Sequence, residues 1–577
     1  MTGPAVTYEV QVYSTDHWVL DRSFPTETEA RAYGKQVFAR PRCEGYRVVR
    51  DWQKSPGCHF EAEIVVKFRP AFDVLSVTPI EDAPVCATDA EYYGVDARLA
   101  IGRLFRGYVE RNVVTPTEIL HNYPELKRLL DRDSLIQAAL SRVAALQSGH
   151  GTTAGGTRRD DMAQTLGRLT ERARTASALE DLPELKDGRF DPIFAALADR
   201  VAADDVGFYC RVVLSRDLIR MRNWLFKLDF LLELLEGVPP SGAEGAIPVL
   251  DGACADVLAV PPVLPALLGP QASLLESILN TLELCRGRLS PRLLPENTEP
   301  RLFRLNTALA GGSLKAGWTL KECRATLFDI LRRQVKGTRP LVHGDNAAED
   351  EAFSRLVASL IEPSGVAGGS GMAEALTSRF GRTLQVGGAS GRRQAISGML
   401  NRYRNAGDRL RYLLSLSGSE FGRQYTADIV EELRDLLGRF EDARGLLDED
   451  APLDTGLAGV TALYELALDS GLAPAERHKI ADRIDRLLAA YIANHQVVDR
   501  LDTPEEHLRD RADRLVRLCT PGVLRSPRAL YTLRQLVIGH LRQSGFDRAY
   551  VEGIAEPAAK RQALRDFHKL LSDAGLC

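Results

Sequence analysis

Trp224-Leu225-Phe226-Lys227-Leu228-Asp229-Phe230-Leu231-Leu232-Glu233-Leu234-Leu235 is apolar on more than one face of a helix. A surface helix keeps a single apolar stripe, so a helix apolar nearly all round belongs in a core. The wider run Val206–Glu236 therefore reads as a central, buried helix. Flanking sequence supports a helical body. Ile480, Ile484, Leu487, Leu488, Tyr491, Ile492 and Val498 form one stripe, and Ile429, Leu433, Leu436, Leu437 and Phe440 form another. Thr115-Pro116-Thr117-Glu118 supplies an N-cap, a proline at the first helical position and a glutamate that reaches back. Thr503-Pro504-Glu505-Glu506 repeats that logic, and Ser526-Pro527 opens another helix. Glu505/Arg509, Asp510/Arg514 and Asp513/Arg517 have i,i+4 spacing, which predicts a self-stabilised exposed helix over 503–518.

The first segment differs. Tyr8-Glu9-Val10-Gln11-Val12-Tyr13 alternates with period two, Trp18-Val19-Leu20 follows a polar turn, and Tyr46–Arg50 and Phe60–Phe68 read as further strands. Thr26-Glu27-Thr28-Glu29 caps a helix carrying Ala30, Tyr33, Val37 and Phe38. The fold class is therefore mainly α. A small N-terminal α+β (ββαββ) module precedes a multi-helical array of irregular solenoid or bundle type. The expected divisions are 1–70 for the module, 71–90 for a linker, and 91–237 for a helical domain. A Pro/Gly-rich connection follows over 238–272, then helical domains over 273–420 and 421–577. The module is small enough that docking on the helical body is expected. Residues 148–160 read as mobile.

At 577 residues, with 45% hydrophobic and 26% charged residues, the chain has ample length for large cores. Its net charge of −4 argues against a dedicated, highly basic nucleic-acid binder. Met1–Gln11 lacks the pattern of a secretion signal. Ala246–Gly269 is long and apolar, but Asp251, Asp256 and four prolines argue against a membrane span. Nine widely spaced cysteines without a C-x-x-C pair suggest buried, reduced thiols, no disulfides and a cytoplasmic setting.

Leu341-Val342-His343-Gly344-Asp345-Asn346 contains a His-Gly-Asp string that resembles the catalytic loop of the aminoglycoside and choline kinase family. That family places an Asn five residues after the Asp; here the position holds Asp350, and no second metal carboxylate follows on a strand. A helix-connecting loop is the alternative for this string. Gly387–Arg393 is glycine-rich but lacks G-K-[ST], so it is not a nucleotide P-loop. Gly368–Met372 misses the G-x-S-x-G nucleophile elbow at its last position. No histidine has metal-site spacing; His495 and His540 read as core histidines bonded to carbonyls.

Charge concentrates elsewhere. From Arg379 to Tyr412 eight arginines face one acid, Asp408, a local +7. Arg392, Arg393, Arg402, Arg404, Arg409 and Arg411 are the candidate contacts for an anion or partner. The competing expectation is a solvated face paired with Glu431, Glu432 and Asp435, or with Asp448, Glu449 and Asp450. The chain holds only 12 lysines among its 74 basic residues, which devalues each single arginine as a phosphate signal. The sequence assigns no catalytic, cofactor-binding or metal residue. It points to a non-catalytic scaffold, adaptor or regulatory interaction protein with a protein partner. The alternatives are a binder of a nucleotide, RNA or anionic surface through Arg379–Tyr412, and an enzyme whose site uses His343 and Asp345.

Overall fold

The computed structural model describes residues 6–14, 17–40, 43–55, 58–68, 75–148, 155–185, 188–290, 300–311, 319–383, 388–447, 451–495, 497–502, 505–520, 523–542 and 544–576. Helices make up most of the described residues. The chain divides into two compact units, Met1–Ala272 with Glu276–Leu331, and Ser273–Leu275 with Arg332–Cys577.

The first unit opens with the expected mixed module. Strands β1 (Val6–Ser14), β2 (His17–Phe24), β3 (Gly45–Ser55) and β4 (Cys58–Phe68) form an antiparallel sheet in the order β2-β1-β3-β4. Helix α1 (Glu27–Phe38) is capped by Thr26, whose hydroxyl accepts from Glu29 N–H. It covers one sheet face through Val10, Ala30, Tyr46 and Val48. Gly34 permits this close approach, because a Cβ there would lie 2.3 Å from the Tyr46 ring.

Helices α2 (Val95–Leu104), α3 (Arg106–Asn112), α4 (Pro116–His121), α5 (Tyr123–Leu130), α6 (Asp133–Ser148) and α7 (Gly155–Ser177) follow. Then come α8 (Asp191–Ala198), α9 (Ala203–Leu218), α10 (Trp224–Gly237), α11 (Ala243–Leu258) and α12 (Val263–Leu268). The run expected as one central helix is therefore two, α9 and α10. Asn223 restarts the second by accepting from Leu225 N–H at 2.8 Å. The expected connection over 238–272 is corrected: it is mostly helical, and α11 is among the most buried elements despite Pro248 inside it. Apolar burial outweighs the single hydrogen bond that the proline removes. The segment 71–90 is not a loose tether where it is described. Ile80 and Pro84 carbonyls accept from Arg142 and Gln147 of α6 at 2.7 Å. The expectation of mobility over 148–160 falls partly on residues 149–154, outside the described set.

Helix α4 lies at the centre, with all six of its residues buried. Its capping box forms as expected: Thr115 accepts from Glu118 N–H, and Glu118 accepts from Thr115 N–H. A buried helix start needs more, because several N–H groups there have no intrahelical acceptor. Asp256 of α11 supplies it, accepting from Thr117 N–H at 2.9 Å and Thr117 Oγ1 at 2.7 Å. The same carboxylate holds the fully buried Arg98 at 3.1 Å. Five residues earlier, Asp251 accepts from the N–H groups of Glu322 and Cys323, at the start of helix Lys321–Lys336. The two aspartates that argued against a membrane span are thus caps for other helices. No described helix is long and apolar enough to cross a membrane.

The second unit repeats the device. Helix Pro474–Asn494 buries the expected stripe Ile480, Ile484, Leu487, Leu488, Tyr491 and Ile492. Asp485, buried among them, accepts from Arg528 and Ala529 N–H at the start of helix Pro527–Leu541. The exposed helix expected over 503–518 begins at Leu508; residues 503 and 504 lie outside the described set.

Lys227 of α10 and Glu118 of α4 form an ion pair buried on both sides. Such a pair broken on one side leaves an uncompensated charge, whereas replacing both partners restores a neutral core. Lys227→Met is expected to destabilise the first unit by about 3–5 kcal/mol, and Lys227→Met with Glu118→Leu by clearly less. The described tryptophans, Trp18, Trp52 and Trp224, belong to that unit, and the sequence has no tryptophan after residue 318, so urea unfolding followed by tryptophan fluorescence reads it selectively. A double variant as unstable as the single one would refute the coupling.

Candidate functional site

The second face of the sheet carries Glu9, Gln11, Arg47 and Glu61, which alternation would assign to solvent. It faces the helical body instead. Arg47 is only 2% exposed and Glu61 1%. The Arg47 guanidinium donates to Gln11 Oε1 at 2.8 Å and to the Arg222 carbonyl at 2.9 Å. It lies 4.7 Å from the Trp18 ring centre, and Trp18 Nε1 donates to the Arg111 carbonyl at 2.9 Å. The module therefore docks through hydrogen bonds and cation–π stacking, as its small size requires.

Between this face and the helical body runs a cleft of about 650 Å³. Glu9, Gln11, Trp18, Leu20, Arg47 and Glu61 form its sheet side. Arg222, Trp224, Phe226 and the prolines Pro261, Pro262 and Pro265 form much of the opposite side. Two charged groups in its wall are incompletely satisfied. Arg47 Nη1 has no hydrogen-bond partner and sits 3.9 Å from Glu63, and Glu61 Oε2 has none either. Burial pushes the Glu61 carboxyl up to about 7, opposed by nearby Arg47 and by the Arg222 N–H. Burial also lowers Arg47 to about 10, so it stays charged at neutral pH. Neither group recovers its full hydration, the pattern expected where a site is built for recognition.

Val113 connects this cleft to the buried core. It lines the cleft and has φ 51° and ψ 52°, among the described residues the only non-glycine at positive φ. A β-branched residue is strained in that left-handed conformation. Its carbonyl accepts from Lys227 Nζ at 2.6 Å, and that ammonium also contacts both Glu118 oxygens at 2.5 and 2.7 Å. Burial draws Lys227 down to about 8, with Glu118 opposing. Behind this pair His121 is fully buried. Its Nδ1 bonds the Thr117 carbonyl, and burial holds the imidazole well below its usual pKa. An N–H facing a carbonyl at Nδ1 fits the neutral tautomer.

The candidate basic segment is mostly committed internally. Arg379 and Arg382 donate to carbonyls of residues 335–339, closing a helix C-terminus where cations are favoured. Arg402 pairs with Asp350 and lies over Phe380, while Arg411 pairs with Asp408. Arg393 pairs with Asp428, and Arg392 reaches the Tyr425 hydroxyl at 3.4 Å. The acids engaged are therefore not those expected from charge alone; Asp448, Glu449 and Asp450 lie outside the described residues. Arg409 has a buried Nε without a hydrogen-bond partner, and Tyr403 and Tyr412 are buried. Arg392, Arg393 and Arg404 remain exposed.

Other candidates resolve locally. Asp345 is the N-cap of helix Asn346–Ser359, accepting from Ala348 N–H, and His343 is exposed beside it. Gly387 lies outside the described residues, and Gly388 begins a helix. The carbonyl-bonded core role expected of His495 and His540 is corrected. His495 bonds Asp442 at 2.6 Å, and His540 sits 3.0 Å from both Asp499 and Asp502. His495 caps the end of helix Pro474–Asn494 and His540 lies in the last turn of helix Pro527–Leu541, and their carboxylate partners come from elements distant in sequence. Among the described residues no three His, Cys, Asp or Glu side chains converge as metal ligands.

Arg47, Glu61 and His121 escape the sequence reading because strand alternation and helix caps look complete without them, and Glu118 reads there only as the glutamate of a capping box. Lys227 left one signal, a lone lysine within an apolar helix in a chain poor in lysine. No known protein family, curated protein or solved structure matches this chain.

Glu61 also sets a pH dependence. Its carboxyl titrates near 7 when folded, against 4.5 when unfolded, so the folded chain binds the extra proton between those values. Stability from this group is complete below the lower value and falls as pH rises to the upper one. Glu61→Gln is expected to flatten that fall and to raise the urea midpoint at pH 8. Identical pH profiles for the two proteins would rule it out.

Proposed function

We propose that this chain is a non-catalytic interaction protein, a scaffold or regulatory adaptor, that receives an extended segment of a partner protein along β2 and the adjoining cleft. One observation carries the reading: β2 is an outer strand of the sheet, and its Trp18 and Leu20 line the cleft. An outer strand offers backbone donors and acceptors to an incoming strand, and a neighbouring groove takes alternate side chains. Val19 and Leu20 are 45% and 51% exposed, although most large apolar residues of this unit are buried. Arg47 and Glu61 give the cleft wall charges of both signs, suited to selecting among polar side chains. Aromatic and proline residues opposite favour a peptide over a compact anion.

Two buried ionisable groups beside the cleft support binding over chemistry. Lys227 and His121 are sealed in the core by bonds to Glu118, Val113 and Thr117. The buried thiols Cys210, Cys254, Cys323 and Cys519 suit a reducing compartment, so we place the partner in the cytoplasm.

The test is affinity purification of the full chain from its native cells, alongside a Leu20→Lys variant. Leu20 is exposed, so the variant is expected to fold normally with a thermal midpoint within a degree or two of the parent. A stoichiometric partner should be retained by the parent chain and lost by the variant. Recovery of no stoichiometric protein, or equal recovery by both chains, would overturn the reading.

A further inference from the structure

A second pocket, open to solvent on one side like the cleft, lies away from it within the first unit, among α2, α4, α5, α6 and α7. Its volume is about 140 Å³. Leu104, Ile119, Leu126, Leu129, Ile136 and Leu169 form much of its wall, and all are buried. The few polar groups on the wall already have partners. Gln147 donates to the Pro84 carbonyl at 2.7 Å and accepts from Arg158 Nε at 2.7 Å. Thr165 Oγ1 accepts from Arg168 at 2.9 Å, and the Tyr92 hydroxyl is engaged by Arg158. Cys86 contributes a buried thiol, which burial keeps protonated and which is only a weak donor.

This combination selects its occupant. Water needs two or more polar partners to sit in a cavity, and here those groups are taken. A closed apolar cavity of about 150 Å³ accepts a benzene-sized molecule, and this pocket has a similar volume and apolar lining with one side open for entry. The lining side chains face empty space and forgo dispersion contacts that an apolar guest restores. A polar guest would bury its own donor or acceptor unpaired.

We propose that this cavity is a binding site for one small uncharged hydrocarbon group of about the size of a benzene ring. The group is either a free molecule or the apolar end of a larger one. The site is independent of the cleft along β2.

The experiment is thermal unfolding of the full chain with benzene, phenol and octanoate, followed by tryptophan fluorescence. Benzene at millimolar concentration should raise the midpoint of the first unit by a few degrees and saturate. Phenol should do so much less, because its hydroxyl finds no partner. If benzene binds, stabilisation by octanoate assigns the apolar end of a larger molecule, and its failure assigns a free one. Ala139→Leu places three extra carbons in the cavity and should abolish the benzene response. Should that variant fold poorly, Leu129→Ala enlarges the cavity and should bind toluene more tightly than the parent does. Xenon NMR on the unmodified chain gives an independent readout, a shifted bound signal that benzene displaces. The proposal is overturned if benzene leaves the parent midpoint unchanged. It is equally overturned if Ala139→Leu responds like the parent, if phenol matches benzene, or if xenon shows no displaceable signal.

Discussion

A helix start buried in a protein core must find acceptors for its first N–H groups, and in this chain carboxylates from other helices provide them. Asp256 satisfies the start of α4 through Oδ2 and neutralises Arg98 with both carboxylate oxygens. Without it, the buried Thr117 N–H would lose its acceptor and the Arg98 guanidinium, although still bonded to the Tyr93 and Gly252 carbonyls, would lose its counter-charge. The surrounding helices pack against α4, so their placement depends on this bond set. Asp251 does the same for helix Lys321–Lys336, and Asp485 for helix Pro527–Leu541. Each cap ties two elements far apart in sequence, which local side-chain caps cannot do.

A second buried pair links this core to the cleft. Glu118 closes its own capping box and also binds Lys227, while Lys227 holds the Val113 carbonyl in a strained left-handed turn. A carboxylate shared between a local cap and a distant ammonium couples the start of α4 to α10. The residue bearing the strain lines the cleft, so recognition and core packing meet at one backbone position. The sheet reaches the same place through Arg47, whose hydrogen bond to Arg222 fixes the module on the helical body.

The arginine-rich segment shows why local charge is a poor guide to binding. Its excess of seven positive charges in sequence becomes a set of helix-end contacts and ion pairs in three dimensions. Arg379 alone bonds three carbonyls and Glu349. Most of these pairs are too solvated to contribute much individually. Together they leave only part of the segment exposed.

The sequence by itself determined the class of most local elements. Period-two alternation marked the strands, apolar stripes marked the helices, and Thr115 and Thr26 marked helix starts. Those signals arise from side chains a few residues apart and survive without tertiary context. Only the tertiary structure decided which polar residues are buried and where a ligand can enter. One partner of Arg47 is 175 residues away, and the carboxylate partner of Arg98 is 158 residues away. Glu9, Gln11 and Arg47 alternate as a solvent face would, and become an internal seam because the small module must bury a second face. The helical span 238–272 was hidden for a related reason. Proline and glycine weaken a helix locally, but the burial of α11 on all sides outweighs that cost.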